Sequence, residues 1–143
     1  MARGKDMKIE QLANVRLFSE CSKKDLTMIG KLSDEQTVEA GKVVVEQGAT
    51  GVEFFLILEG EAVVRRNGRK TATLSEGKYF GELALLSQAP RNASVVASTD
   101  MRLLVIRQRQ FKGLLDEVPG INHKLLASMA ERIREYQAKA AEV

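Results

Sequence analysis

The middle of the chain, residues 37–106, alternates between short β-type runs and turn residues. The runs recur roughly every 8 to 12 residues, which is the spacing of strands in small all-β folds. Between two of them lies Asn67-Gly68, a pair typical of a type I′ hairpin because both central residues take a positive φ. This pattern predicts a small antiparallel sandwich or jelly roll. The predicted strands are residues 43–47, 53–60, 61–66, 71–74, 93–98 and 101–106.

Both ends of the chain are predicted to be helical. Near the start, Ser22 with Asp25 three residues later is a helix-capping signature, and an apolar helix face follows it. Near the end, one helix is expected to stop before Pro119, and a longer helix follows. Apolar residues three or four positions apart give the longer helix one stripe, which we expect to support a homodimer. The stripe consists of Ile121, Leu125, Met129, Ile133, Tyr136 and Ala140.

The composition narrows the classes of function. At 143 residues the chain fits one domain with one core, and its net charge of +3 is too small to indicate nucleic-acid binding. The densest basic cluster, residues 65–70, spans the predicted hairpin tip. That position favours a solvated turn over a phosphate-backbone site.

The cysteine content and the chain start predict the compartment. The single Cys21 cannot form an internal disulfide, and a packed thiol in a reducing compartment is the expected role. The first residues lack the apolar run of a signal peptide, and no apolar window of about 18 residues predicts a membrane segment. We therefore expect a cytoplasmic protein, in which the Asn92-Ala93-Ser94 sequon carries no glycan.

The segment FGELALLSQAPRNASV, residues 80–95, combines groups that suit a phosphorylated ligand. Gly81 opens a predicted helical turn, and the N–H groups at a helix start attract anions. Arg91 offers two parallel donors to two phosphate oxygens. Glu82 would repel the same phosphate, so it suits a neutral hydroxyl group. This set indicates a sugar phosphate with a base attached. Without further information, however, the favoured interpretation is that Glu82 is an ordinary acidic residue in a first helical turn and Arg91 is a solvated loop residue.

Gly-Glu-Leu-Ala-Leu followed by Pro-Arg-x-Ala-Ser resembles the phosphate-binding cassette of the cyclic nucleotide-binding domain family. Members of that family include the regulatory subunit of protein kinase A, cyclic-nucleotide-gated channels and the bacterial catabolite activator protein. The resemblance extends to VVVEQGATGVEFFLILEGEAVV, which is similar to the family's strand, glycine loop and strand. It also extends to LLASMAERIREY, which is similar to the family's C-terminal helix. We therefore favour a ligand site over the interpretation that Glu82 and Arg91 are ordinary solvated residues.

With this resemblance, we predict a mainly β fold with flanking α-helices, an antiparallel β jelly-roll barrel carrying a short cassette helix. The chain is expected to be a single cyclic nucleotide-binding domain over residues 1–143. Its parts are N-terminal helices over 1–34, the jelly roll over 35–106 with the cassette at 80–95, and long C-terminal helices over 107–143.

The resemblance also implies a role for each cassette residue. Glu82 would accept the ribose 2′-hydroxyl beside the Gly81 N–H, and Arg91 would pair with the exocyclic oxygens of the cyclic phosphate. The N–H groups of Ala84 and Asn92 would complete the cradle. The expected ligand-binding residues are Gly81, Glu82, Leu83, Ala84, Arg91, Asn92, Ala93 and Tyr136.

The base of the nucleotide is less defined by the resemblance. Asn92 departs from the Ala, Ser or Thr that members place after the arginine, so the choice between cAMP and cGMP stays open, with cAMP favoured. Tyr136 falls at the position from which the catabolite activator reads adenine, and it either stacks on a purine or belongs only to the helix stripe. Ser94 either supports the strand or touches the ligand, and support is the favoured role.

These features predict a non-enzymatic sensor of cAMP or cGMP, without a metal, whose ligand repositions the C-terminal helix. A cupin-type enzyme would need several histidines, but the chain has only His123, in the final predicted helix. No DNA-binding motif follows the long helix in this chain. Two alternatives remain open. One is a degenerate fold retained as a dimerising scaffold, and the other is the sensor part of a larger transcription regulator or channel.

Overall fold

The structure, a computed structural model, describes residues 4–141, so the ends of the predicted domain at residues 1–3 and 142–143 lie outside the described residues. The helices are α1 (Gly4–Ala13), a 3-10 helix (Arg16–Phe18), α2 (Lys23–Lys31), a second 3-10 helix (Glu82–Leu85), α3 (Gln108–Glu117) and α4 (Gly120–Ala141). The strands are β1 (Asp34–Val38), β2 (Val43–Val45), β3 (Thr50–Gly51), β4 (Glu53–Glu59), β5 (Ala62–Arg66), β6 (Arg69–Leu74), β7 (Tyr79–Phe80), β8 (Ala89–Pro90), β9 (Ser94–Ala97) and β10 (Met101–Arg107).

The strands form two four-stranded antiparallel sheets and one two-stranded ladder. The first sheet has the order β1-β10-β4-β7, the second has the order β2-β9-β5-β6, and β3 pairs with β8. The chain passes from the first sheet to the second at Gly60, whose φ of 97° is a left-handed conformation that favours glycine. Phe55 and Val105 from the first sheet meet Val95 and Ala97 from the second in one apolar core. The middle of the chain is therefore held by burial between two sheets.

The prediction of a barrel is wrong, because the two sheets are not closed into one and each has its own edge strands. One edge of the first sheet, β7, has only two residues. The edge strand β6 of the second sheet carries the exposed charges of Arg69 and Lys70. Short edge strands and charged edges both disfavour the addition of a further strand. The mainly β architecture with flanking helices is confirmed, while the jelly-roll connectivity stays a prediction.

The six strands expected from the sequence are all present within a few residues of their predicted bounds. The hairpin signal is also confirmed, since Asn67 and Gly68 have φ values of 54° and 78°. Four further strands were not predicted. Of these, β1 is polar and exposed along most of its length, and β3, β7 and β8 have two residues each. None of them shows the apolar alternation on which the prediction depended.

Residues 32–112 form one compact unit, and residues 4–31 together with residues 113–141 form another. In this helical unit α1 packs against α2, and α4 packs against the first 3-10 helix. The predicted cap of α2 is confirmed. The Asp25 N–H donates to Ser22 Oγ at 3.1 Å, and the Ser22 N–H donates to Asp25 Oδ2 at 2.9 Å. The buried Asp25 carboxylate also accepts a hydrogen bond from Lys124 of α4. The single domain over residues 1–143 stays a prediction.

The apolar stripe of α4 divides into two halves with different surroundings. Ile121 and Leu125 are buried, whereas Ile133 and Tyr136 are 57% and 76% exposed. Only the first half of the helix is therefore fixed by side-chain burial. None of the helices in residues 4–141 is long and apolar enough to cross a membrane.

Cys21 lies just before α2 and is partly buried. Burial, and then the neighbouring Asp25 carboxylate, raise the pKa of its thiol to about 11. A thiol with so high a pKa is largely protonated and unreactive at neutral pH, as expected of a packed cysteine.

Candidate functional site

The cassette forms one side of a pocket with a volume of about 380 Å³, which is large enough for a small molecule. The pocket is lined by Gly81, Glu82, Leu83, Ala84, Ser87, Ala89, Pro90, Arg91 and Asn92. This lining includes every predicted ligand-binding residue except Ala93 and Tyr136. Glu82 and Arg91, separated along the chain by an apolar turn, therefore face a common space.

Gly81 is required at the start of the cassette for two physical reasons. Its φ of 79° is left-handed, and it caps the 3-10 helix Glu82–Leu85. A Cβ at this position would lie 2.5 Å from Arg91 Nη1 and 2.7 Å from the Glu53 carbonyl oxygen. A side chain here would therefore strain the backbone and displace the arginine.

Arg91 is fixed at both its backbone and its side chain. Its N–H donates to the Ala49 carbonyl, and its carbonyl accepts from the Gly48 N–H, each at 2.8 Å, which extends the short β3–β8 ladder. The guanidinium Nη2 donates to the Glu53 carbonyl at 2.7 Å. A Cβ on Gly51 would overlap the guanidinium, so Gly51 also lies directly against it. These contacts hold the cation at the pocket wall.

Partial burial gives Arg91 its electrostatic character. Burial lowers the pKa of the guanidinium from its ordinary value, and the Glu53 carboxylate acts in the opposite direction. Arginine remains protonated in proteins, so the side chain is a partly desolvated cation. A charge with reduced access to water attracts an anion more strongly than a fully solvated one. This wall of the pocket therefore favours an anionic group.

Glu82 supplies the opposite charge within the same pocket. It is the first residue of the 3-10 helix and is only 9% exposed. An ionised carboxylate accepts hydrogen bonds and cannot donate them, so it suits a hydroxyl group of a ligand. Leu83, which is 48% exposed, adds an apolar surface beside it. The pocket thus offers a cation, a hydrogen-bond acceptor and an apolar wall.

The remaining predicted residues differ in their placement. The Ala84 N–H donates to the Gly81 carbonyl at 3.0 Å, so the cassette turn already engages this group. Asn92 is exposed at the rim of the pocket. Ala93 is partly buried outside the pocket lining, and Tyr136 is exposed on α4. The roles of these four residues in ligand binding stay predictions.

A comparison with protein families identifies the fold that carries this pocket. The model of the cyclic nucleotide-binding domain matches residues 35–118. The chain belongs to this family. The match covers both sheets except Asp34, together with the cassette and α3, so it includes every residue that lines the pocket.

Similar proteins are found among both curated sequences and solved structures. The cAMP-dependent protein kinase regulatory subunit of Mycosarcoma maydis is 39% identical over 77% of this chain and 23% of its own length. The N-terminal domain of a transcriptional regulator from Streptomyces coelicolor A3(2) has a TM-score of 0.84 at 24% identity, covering 91% of this chain and 94% of that chain. The catabolite activator protein of Thermus thermophilus has a TM-score of 0.69 at 28% identity, covering 88% and 62%. The chain spans 23% to 29% of the length of three curated relatives.

Within this cyclic nucleotide-binding domain, the structure adds residues that the sequence did not indicate. Gly51 and the Glu53 carbonyl hold Arg91, and Gln108 Nε2 donates to the Ala84 carbonyl at 3.0 Å. Arg91 and Glu53 are 38 residues apart, and Gln108 and Ala84 are 24 apart, so no local pattern links them. In addition, a backbone carbonyl is offered by any residue type, which leaves no signal in the sequence.

Two further expectations concern Ser94 and metal binding. Ser94 Oγ accepts the Gln47 N–H at 2.8 Å, so Ser94 supports the strand, which was its favoured role. Among residues 4–141, no group of three or more His, Cys, Asp or Glu side chains is placed to hold a metal ion. His123 is exposed on α4.

Proposed function

We propose that this domain is a non-enzymatic sensor that binds a cyclic nucleotide, cAMP in preference to cGMP, in the pocket of residues 81–92. The observation that carries the proposal is the convergence of Glu82 and Arg91 on one pocket within a chain of this family. A cation and a carboxylate acceptor that line one small site match the phosphate and the ribose hydroxyl of such a ligand.

Each part of the pocket has a distinct task in this function. Arg91 donates two parallel hydrogen bonds to the exocyclic oxygens of the cyclic phosphate. Glu82 accepts the hydrogen bond of the ribose 2′-hydroxyl, and its burial keeps water from competing for that bond. The backbone N–H of Asn92, at the rim of the pocket, donates to the phosphate. The Ala84 N–H contributes once it exchanges its bond to Gly81 for one to the phosphate.

The preference for cAMP rests on the relatives, several of which are regulatory subunits of cAMP-dependent protein kinases. Tyr136 of α4 is proposed to stack on the purine. Its side chain is 76% exposed and so has the freedom to meet a ligand.

The regulatory output is proposed to be a change in the placement of α4. The ligand would favour one placement of this helix over others, and the size of the shift would equal the difference in its affinity for them. The exposed half of α4 is proposed to support a homodimer through Ile133. Because the relatives are longer than this chain, the sensor is proposed to control a larger assembly.

Isothermal titration calorimetry with cAMP, cGMP and 5′-AMP tests the proposal. We expect cAMP to bind most tightly, cGMP more weakly and 5′-AMP weakest. The phosphate of 5′-AMP is not closed into a ring, so it no longer fits between the ribose contact and Arg91. If neither cyclic nucleotide binds, the sensing function is refuted, and the chain is better described as a dimerising scaffold.

A further inference from the structure

Gln108 is a buried polar residue that connects the cassette to the segment that holds Arg91. It is the first residue of α3 and is only 6% exposed. Its side-chain Nε2 donates to the Ala84 carbonyl at 3.0 Å, and its backbone N–H donates to the Val52 carbonyl at 2.8 Å. One residue therefore bonds to two segments that are distant from each other in the sequence.

One of those segments lines the pocket, and the other holds the pocket residue Arg91 in place. Ala84 belongs to the 3-10 helix that begins with Glu82. Val52 lies between Gly51, which contacts the Arg91 guanidinium, and Glu53, whose carbonyl accepts its hydrogen bond. Gln108 therefore links the 3-10 helix that begins with Glu82 to the segment that holds Arg91.

The chemistry of the side chain supports a role in geometry over a role in packing. Burying an amide lowers stability unless its groups are hydrogen-bonded, and an apolar residue of similar length would fill the same space without that cost. A hydrogen bond differs from an apolar contact because it defines a distance and a direction. The amide of Gln108 therefore fixes the orientation of the Ala84 peptide group.

We propose that Gln108 is a positioning residue for nucleotide binding, which keeps Glu82 and Arg91 at the separation that a cyclic nucleotide requires. The role rests on the proposed function, since it acts only through those two side chains. Removing the donor leaves the Ala84 carbonyl without this bond and frees the cassette to shift. A net hydrogen bond contributes about 0.5–1.5 kcal/mol, so we expect affinity for cAMP to fall about twofold to tenfold.

Gln108→Met and Gln108→Glu test this role by calorimetry with cAMP. Methionine keeps the length of the side chain and removes the donor, so its affinity is expected to fall by the factor given above. Glutamate at neutral pH presents an oxygen to the Ala84 carbonyl and is expected to bind more weakly still. A protonated carboxyl group at this position can donate a hydrogen bond again. The affinity of Gln108→Glu for cAMP, compared with that of wild type at the same pH, is therefore expected to recover as the pH falls from 7 towards about 4.5.

A stability-matched control separates positioning from general destabilisation. Ile29→Val truncates a fully buried side chain of α2, which lowers the stability of the fold at a residue outside the pocket lining. It is expected to bind cAMP as wild type does, at a temperature where every variant is folded by circular dichroism. If Ile29→Val loses as much affinity as Gln108→Met, the effect is one of stability and the positioning role is refuted.

The two levels of the proposal fail in different ways. If wild type binds cAMP and Gln108→Met binds it equally well, the role of Gln108 is wrong and the sensing function stands. If wild type binds neither cAMP nor cGMP, the sensing function is wrong and the role of Gln108 falls with it. If Gln108→Met does not fold, the role of Gln108 is tested by the affinity of Gln108→Glu for cAMP at two pH values. A loss of affinity relative to wild type that does not change with pH contradicts the hydrogen bond.

Discussion

Arg91→Ala is expected to weaken cyclic nucleotide binding by about 2–4 kcal/mol. The guanidinium lines the pocket and is held against the Glu53 carbonyl by a 2.7 Å hydrogen bond. A hydrogen bond to a charged group contributes about 1.5–3 kcal/mol, and arginine offers two to a phosphate. Because Arg91 is only partly buried, its guanidinium loses bound water when the ligand binds, and this loss offsets part of the free energy of the two hydrogen bonds. The remaining difference corresponds to a loss of affinity between about 30-fold and about 700-fold.

Calorimetry on three variants measures this effect and separates its causes. Arg91→Lys keeps the charge but lacks the planar pair of donors, so an intermediate affinity is expected. Arg66→Ala removes the same charge from the exposed hairpin and is expected to bind as wild type does. Unchanged affinity in Arg91→Ala would refute the assigned contact. An equal loss in Arg66→Ala would show that only the overall charge of the domain matters.

Three more perturbations have defined outcomes. In calorimetry, 2′-deoxy-cAMP is expected to bind wild type more weakly than cAMP, Glu82→Ala is expected to abolish that difference, and Glu82→Gln is expected to keep part of it because the amide oxygen still accepts. For Asp25, burial raises the carboxyl pKa, but hydrogen bonds from Lys124 and Ser22 outweigh burial and lower it. The folded pKa thus lies below the unfolded value of about 3.9, and the stabilisation is complete above that pH and is lost as the pH falls through the folded pKa. Asp25→Ala is therefore expected to cost about 1–3 kcal/mol in urea unfolding at pH 7 and progressively less below about pH 4, whereas a cost independent of pH would contradict the ion pair. Ile133→Glu is expected to abolish concentration-dependent self-association in sedimentation velocity, and a wild-type monomer at high concentration would rule out the homodimer.

Local chemistry explains which parts of the fold the sequence predicts. The Asn67-Gly68 turn and the Ser22 cap are defined by residues within a few positions of one another, and both are confirmed. Gly81 is similar, since its left-handed φ is a property of one residue. Each of these features depends on backbone conformation or on a short-range hydrogen bond, and such preferences are visible in a short stretch of sequence.

Features that depend on distant contacts are not predicted. The separation of the two sheets results from which strand ends meet, and turn spacing carries no information on that choice. Strand β1 is recognised only through its pairing with β10, because its own residues are polar and exposed. The bond from Gln108 to Ala84 likewise joins two residues that the sequence gives no reason to connect. The prediction of the cassette residues depended on a family resemblance, which supplied what local chemistry could not.

The division of α4 into a buried and an exposed half has a consequence for its motion. Hydrogen exchange reports local opening, and amides protected by packed side chains open least often. Protection is therefore expected to decline along the helix from Ile121 towards Ala140, as the side chains pass from buried to exposed. A second molecule can therefore change the order of the far end of α4 at a smaller cost in free energy than that of its buried half.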